Sequence, residues 1–485
     1  MSARRRRPRR GRAEDAAMSA SGGGSGAETE HSTQRAGTFA GESPSVALVS
    51  LGCPKNLVDS EGMAEILERM GFRAAGAMRG ADVLLVNTCG FVRDAADEST
   101  TKIREALRLK REGAVRAVVA AGCLVQRMGA GIADEFPDLD AAVGTGSWHR
   151  VGEACRLALS GEARPFILDA PGADTLEPAR SRSSYGHFGY LKVTEGCHRR
   201  CSYCLIPTLR GPLRSAPPEA LVEEARSLAR SGAVELMLVG EDIGSYGAEA
   251  RGGWDLARLI AELDGVEGLR WIRLLYVHPA SIDRRLVEAA ESCEKVCSYI
   301  DVPVQHASDR VLSRMNRPTS RADLERALGL LKSSRKDFAL RTTVMVGFPG
   351  ETDDDFGELV SFVKEWEFDH LGAFCYSPEV GTKAAEYSDR VGAQRAEERM
   401  SEIMTIQSEI SLKKNRAAVG GRAVVLVDEV GGDGVSVART ARQAPLIDGV
   451  TLVEGAAVPG RFLTVLLTGA EEYDLHARPC GEGLP

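Results

Sequence analysis

Short apolar runs, each followed by residues at helical spacing, recur from Ser45 to about residue 376. This alternation limits the possible fold more than any single motif does. Val46-Ala47-Leu48-Val49-Ser50-Leu51, Asp82-Val83-Leu84-Leu85-Val86-Asn87 and Ala117-Val118-Val119-Ala120-Ala121 read as three strands. Between the first two, Met63, Ile66, Leu67 and Met70 fall at i, i+3, i+4 and i+7, one face of a helix, and Gly71 suits its C′ position. A second helical pattern covers about 93–111. Strand–helix–strand order of this kind implies a parallel sheet covered by helices. Residues 161–186 are polar and carry Pro and Ser, as a linker would. Beyond them, candidate strands stand at 189–194, 234–240, 270–275, 299–303, 339–346 and 370–376, with helical patterns such as 218–231 and 321–336 between. Six βα units suit a partial (β/α)6 TIM-like barrel, two units short of closure. A helix at 392–415 then leads into Val- and Gly-rich runs (AVVLVDEV, GVSVART, GVTLVE, RFLTVLLT), the texture of a small antiparallel β-barrel.

The expected class is therefore α/β, with a disordered leader at 1–44, a parallel-sheet domain at 45–160, a linker at 161–186, the partial barrel at 187–415 and the small β-barrel at 416–485. The leader (ARRRRPRRGR, then SASGGGSG) has almost nothing to bury, and Met18 is an alternative start. No apolar run approaches the ~20 residues of a membrane span, and no apolar segment follows the basic start, so neither a membrane anchor nor a secretory signal is expected. Eight Arg and five acids give residues 1–44 a net charge of +3, so the net −8 of the chain leaves −11 for the remainder. An acidic body disfavours non-specific nucleic-acid binding and suits a basic partner. Eleven cysteines, an odd number spread along 485 residues, speak for metal or catalytic use in a reducing cytoplasm.

The densest chemistry is Cys197-His198-Arg199-Arg200-Cys201-Ser202-Tyr203-Cys204, a CxxxCxxC loop directly after the first strand of the second region. Three thiolates on one loop can meet at one metal centre. Structural zinc would want a fourth ligand, whereas a cubane iron–sulfur cluster held by three cysteines keeps one iron open. The motif, with the aromatic Tyr203 before its last cysteine, resembles the radical S-adenosylmethionine superfamily. The resemblance implies that the reduced cluster gives an electron to S-adenosylmethionine, and that the 5′-deoxyadenosyl radical so formed takes hydrogen from an unactivated carbon. Catalytic and metal roles then fall on Cys197, Cys201 and Cys204. Cofactor contacts fall on Tyr203, on Gly240 and Glu241 after a strand, on Gln305, and on Arg341, whose guanidinium could pair with the methionyl carboxylate. His278 and His306 have no evident metal partners. No general base or proton relay is evident; Glu241 and Asp242 stand only as candidates.

Cys53, Cys89 and Cys123 are far apart in sequence, yet each follows a strand: VALVSLGC, VLLVNTCG, VVAAGC. In a parallel sheet those loops leave on one edge, where ligands bind. From the residues alone, a shared ligand site and three buried small hydrophobes are equally open readings. The order of domains resembles the methylthiotransferases, with the last domain similar to TRAM. That resemblance implies a second four-iron, four-sulfur cluster on Cys53, Cys89 and Cys123, which handles the inserted sulfur. It also implies S-adenosylmethionine as donor of both methyl group and radical, and a reductant such as flavodoxin or ferredoxin. Cys155, Cys293, Cys297, Cys375 and Cys480 read as structural.

The family divides into enzymes acting on tRNA adenosine and a branch that methylthiolates the β-carbon of an aspartate in ribosomal protein S-twelve. SLGCPKNLVDSE, VPVQHASDRVLSRMNRP and ARTARQAPLIDG resemble the protein-modifying branch. Charge agrees: residues 417–485 hold five Arg, no Lys and nine acids. A domain gripping tRNA should be basic, because phosphate neutralisation dominates such affinity. An acidic one complements a basic ribosomal protein. The alternatives are a tRNA-adenosine methylthiotransferase and, in another class, an iron–sulfur RNA-binding scaffold or redox sensor.

Overall fold

The computed structural model describes residues 43–161, 165–172, 180, 183–250, 252–432 and 434–481. The expected leader lies almost entirely outside them. Two compact units result: residues up to Gly90 together with Ala95–Leu168, and Phe91–Asp94 together with Asp169–Pro485.

The first unit is a six-stranded parallel sheet: β1 (Ser45–Ser50), β2 (Arg73–Ala74), β3 (Val83–Thr88), β4 (Ala117–Gly122), β5 (Ala141–Val143) and β6 (Phe166–Ile167), in the order β2-β1-β3-β4-β5-β6. Alternation along the strands builds two cores. Ala47, Leu84, Val86, Val118 and Ala120 pack with Ile103, Ala106 and Leu107 of the helix Arg93–Arg111. Val46, Val83, Leu85, Ala117 and Val119 pack on the other face with Met63 and Leu67 of the helix Pro54–Arg69 and with Val151, Ala154 and Cys155 of Val151–Ser160. Each fully buried Val or Leu contributes about 1.5–3 kcal/mol. Pro54 starts the first helix at N1, where its missing N–H costs nothing, and Gly71 (φ +87) ends it. Strands β2, β5 and β6 add to the three read from sequence, and β6 lies beyond residue 160.

The second unit holds an open sheet of six parallel strands in the order β14-β13-β12-β11-β10-β7. These are β7 (Phe188–Lys192), β10 (Glu235–Val239), β11 (Trp271–Leu274), β12 (Val296–Asp301), β13 (Ala339–Val346) and β14 (His370–Cys375). Between β7 and β10, a small antiparallel pair, β8 (Thr194–Glu195) and β9 (Arg214–Ser215), frames the cysteine loop. Leu191, Leu236, Leu238, Ile272, Leu274, Ile300, Leu340 and Val344 face a common core with the covering helices. The alternate positions add a polar set, Lys192, Glu235, Arg273, Tyr299, Asp301 and Arg341, among apolar residues such as Met237, Val239 and Met345.

After the helix Ala393–Ala418 comes a closed barrel of β15 (Arg422–Val430), β16 (Ser436–Thr440), β17 (Thr451–Val453), β18 (Phe462–Ala470) and β19 (Leu475–Pro479), in the order β15-β16-β17-β19-β18. Its pairs are antiparallel except β17 with β19, which run parallel where the barrel closes. This small barrel sends charged side chains into the larger one. Arg439 is 1% exposed and pairs with Glu235 Oε2 at 2.8 Å. Arg442 reaches Asp337 and Asp369, each at 3.0 Å. Asp448 lies 3.4 Å from Arg341 Nε.

Candidate functional site

The CxxxCxxC loop is held at both ends by buried polar contacts. At its start, Glu195 is ion-paired with Lys192 and with Arg210 Nη1 at 2.9 Å, all three buried. Burial alone would raise the Glu195 carboxyl, but Arg210 and Lys192 outweigh it and bring it to about 2. Gly196 has φ +71, and a Cβ there would stand 2.3 Å from the Pro212 carbonyl oxygen, so only glycine fits the turn. The Cys197 amide donates to the Gly211 carbonyl at 3.1 Å. Farther on, Ser202 donates through its amide to Met315 O and through its hydroxyl to Arg314 O, both at 2.9 Å.

Within this frame the three thiols share one environment. Cys197 and Cys201 act electrostatically on Cys204, and Glu241 acts on both Cys197 and Cys204. Burial pushes the Cys197 thiol up to about 11 and the Cys204 thiol up to about 12. Two backbone amides pull the other way: Arg199 N donates to Cys197 Sγ at 3.4 Å, and Ile206 N to Cys204 Sγ at 3.5 Å. Bare thiols so buried stay protonated at neutral pH, whereas a bound metal deprotonates them outright. The amides are therefore set for thiolate sulfurs that a metal would create. Among the described residues no three His, Cys, Asp or Glu side chains are arranged around a single metal ion. A cubane spreads its cysteine sulfurs over separate irons, and three cysteines on one loop fit that donor set.

Other predicted residues gather at the same strand ends. Tyr203 packs edge-on against Phe348 at 6.4 Å between ring centroids, and Arg317 Nη1 donates to its hydroxyl at 3.4 Å. Gly240 and Glu241 directly follow β10, and a Cβ on Gly240 would lie 2.0 Å from Thr194 Oγ1, so glycine is required for that approach. Gln305 follows β12 with φ +70, its backbone bridged to Val344, and its Oε1 is buried with no hydrogen-bond partner. A left-handed non-glycine residue with an orphaned amide oxygen is the kind of strain that functional sites retain. His278 and His306 each accept a backbone N–H at Nδ1, from Ala280 at 3.1 Å and Ser308 at 3.0 Å. Burial lowers both, His306 to about 3, so both rings are neutral.

Arg341 does not stand with these residues. It is the third residue of β13, with five more before the strand ends, so it sits roughly 16 Å short of the mouth at about 3.3 Å per residue. Its guanidinium is committed to Asp301 Oδ1 at 3.0 Å and Asp448 Oδ1 at 3.4 Å.

In the first unit, β1, β3 and β4 lie side by side and parallel, so the loops carrying Cys53, Cys89 and Cys123 leave one sheet edge. Glycines let these loops touch. A Cβ on Gly52 (φ +89) would stand 2.6 Å from Cys89 Cβ and 2.8 Å from its Sγ. One on Gly90 would stand 2.7 Å from Leu124 Cα and 3.1 Å from the Cys123 carbonyl carbon. The chain thus reserves space around three cysteine loops packed edge to edge. Sequence reading missed the side chains that lock them. Asn56, 1% exposed, donates from Nδ2 to Leu51 O at 2.7 Å, Asn87 O at 3.3 Å and Thr88 O at 3.4 Å. Asn87 Nδ2 returns a bond to Asn56 O at 2.9 Å. Ser99 Oγ accepts from Cys89 N at 2.9 Å and donates to Cys89 O at 2.7 Å. Polar residues with no exposed role, Asn56 three after a cysteine and Asn87 two before one, were the available signal. Asn56→Ala removes a side chain that joins the Leu51, Asn87 and Thr88 carbonyls beside the Cys53 and Cys89 loops. It is expected to destabilise the unit by about 1–3 kcal/mol, read as a lower urea midpoint.

Comparison with known proteins follows the same divisions. The model described as the radical SAM superfamily matches residues 191–363, "Uncharacterized protein family UPF0004" matches 45–144, and the TRAM domain matches 419–480. The ribosomal protein uS12 methylthiotransferase RimO of Trichlorobacter lovleyi is 42% identical over 436 residues, covering 89% of this chain and 97% of its own. This chain belongs to the RimO methylthiotransferase family. The protein of the same description from Desulforudis audaxviator is 43% identical over 442 residues, covering 90% and 97%. Among solved structures, the radical S-adenosylmethionine methyltransferase TsrM of Kitasatospora setae, with cobalamin and a [4Fe-4S] cluster bound, is similar in fold at TM-score 0.55 and 17% identity, over 69% of this chain and 75% of that one. As a family member the protein is a radical SAM transferase.

Proposed function

We propose that the protein transfers a methylthio group to the β-carbon of an aspartate in ribosomal protein uS12. The carrying observation is identity above 40% to RimO proteins over nearly their whole length, with Cys53, Cys89 and Cys123 following three parallel strands and Cys197, Cys201 and Cys204 together on one loop. Cys197, Cys201 and Cys204 would hold one four-iron cluster, and Cys53, Cys89 and Cys123 a second. When bound, the first cluster supplies the electron that cleaves S-adenosylmethionine, and the second carries the sulfur to be inserted.

The chain's own residues bind, orient and exclude water. The amides of Arg199 and Ile206 stabilise ligand sulfurs. Tyr203 and Phe348 wall the loop with aromatic surface. Gly240, Glu241 and Gln305 line the strand ends where the methionyl moiety of the cofactor would lie. Arg341, paired to Asp301 and Asp448, holds the two barrels together rather than reaching the cofactor.

The last domain supports a protein substrate over tRNA. Of its five arginines, Arg439 is buried and Arg442 is paired with Asp337 and Asp369, which leaves an acidic surface with few free cations for phosphate. Such a surface complements a basic ribosomal protein in the cytoplasm. A flavodoxin or ferredoxin would supply electrons. The test is the intact mass of uS12 from cells with and without the gene. Loss of one methylthio group's mass on deletion is expected; an unchanged mass would sink the assignment and turn attention to tRNA nucleosides from the same cells.

A further inference from the structure

Arg199 lies inside the CxxxCxxC motif, two residues after Cys197, and its amide is the one that donates to Cys197 Sγ at 3.4 Å. Its side chain does not go to solvent. Nε donates to Asp242 Oδ2 at 2.7 Å, and Nη2 donates to Ser281 Oγ at 3.0 Å. Asp242 is 2% exposed and is itself fixed, accepting from Ser245 Oγ at 2.7 Å on Oδ2 and from the His278 amide at 3.2 Å on Oδ1. One residue is thus tied through its side chain to the loops after β10 and β11, and through its backbone to a ligand sulfur. Iron–sulfur potentials depend on hydrogen bonds to sulfur and on nearby net charge. Both partners are mostly shielded from water, so the geometry is rigid and the charges are weakly screened.

We propose that the Arg199–Asp242 pair is a positioning device for the cluster loop: it fixes the amide that donates to the Cys197 sulfur and so sets the potential of the cluster held there. This rests on reading Cys197, Cys201 and Cys204 as cluster ligands.

Electrostatics and positioning separate in one experiment. The full-length chain with Cys53, Cys89 and Cys123 each replaced by Ala carries only the barrel cluster. About four irons per chain in this parent establish the ligand reading, and an iron-free parent overturns that reading instead. In the same background, the double variant R199M/D242N removes one positive and one negative charge together. Net charge is conserved, so a role through net charge alone predicts the parent's potential. Loss of a positioned N–H to sulfur predicts a more negative one, by about a tenfold change in the reduced-to-oxidised ratio at fixed potential, or about 59 mV for a one-electron couple. The readout is a redox titration followed by the electron paramagnetic resonance of the reduced cluster. Ser281→Ala loosens Arg199 without touching either charge and is expected to shift the potential the same way by less. It keeps the proposal testable should the double variant fail to fold. A potential equal to the parent's, in either variant at full iron content, overturns the proposal.

Discussion

Replacing Cys197 by alanine should reduce S-adenosylmethionine cleavage to the uncatalysed background while the chain stays folded. The side chain is only partly buried and is not part of the barrel's main core, so its removal costs little packing. Its loop keeps the Gly211 and Ser202 anchors and the Glu195–Arg210 pair. What is lost is one of the three sulfurs proposed to hold the cluster. Iron should fall from about eight to about four per chain, because the first unit's cysteines are untouched. Cys53→Ala gives the complementary result: the same loss of iron, with cleavage of S-adenosylmethionine to 5′-deoxyadenosine retained and methylthiolation of uS12 abolished. Cleavage surviving in Cys197→Ala at full iron content would remove the barrel loop from the reaction altogether.

Replacing Arg439 by methionine is expected to cost up to about 3–5 kcal/mol of stability, the range for removing one member of a buried ion pair. Arg439 makes a two-pronged contact with Asp428, at 2.6 and 2.8 Å, and an ion pair with Glu235, which is fully buried. Arg273 still reaches Glu235 at 2.8 Å, and His187 still reaches Asp428 at 2.9 Å, so the variant loses one member of a network rather than all of it. Acid titration adds a signed check. Burial would raise the Asp428 carboxyl, but the hydrogen bonds from His187 and Arg439 outweigh burial and hold it below 3.8. A depressed carboxylate contributes stability above its unfolded value and loses it as pH falls through its folded value. The native chain should therefore lose this contribution only below about pH 4, and the variant should show a shallower acid limb. A urea midpoint within error of the native one would show that the two barrels do not share this charge network.

The six strands of the open sheet were legible because each is an apolar run bounded by turn residues. The same holds for β1, β3 and β4. The strands β2, β5 and β6 have two or three residues each, too few for any periodicity to register. The meeting of the Cys53, Cys89 and Cys123 loops at one sheet edge was legible for a different reason: each of these cysteines follows a strand, and parallel order sends such positions to one edge. The locks around them were not. Asn56 finds Asn87 and Thr88 across more than thirty residues, and nothing local marks that pairing. Arg341 misled because its type suits a carboxylate ligand. Its place early in an eight-residue strand already pointed away from the mouth, and Asp448, its distant partner, lies 107 residues on.

The charge contacts between the small and large barrels also bear on how the protein is made. Glu235 is synthesised about 200 residues before Arg439. At roughly 5–20 residues per second, a nascent chain holds the larger barrel for about 10–40 s without the arginine that completes its buried charge network. Quality control on the ribosome would therefore meet an incompletely paired intermediate in every round of synthesis. Truncations near the C-terminus should consequently appear in cells as proteolysis of the entire second unit, long before any question of substrate arises.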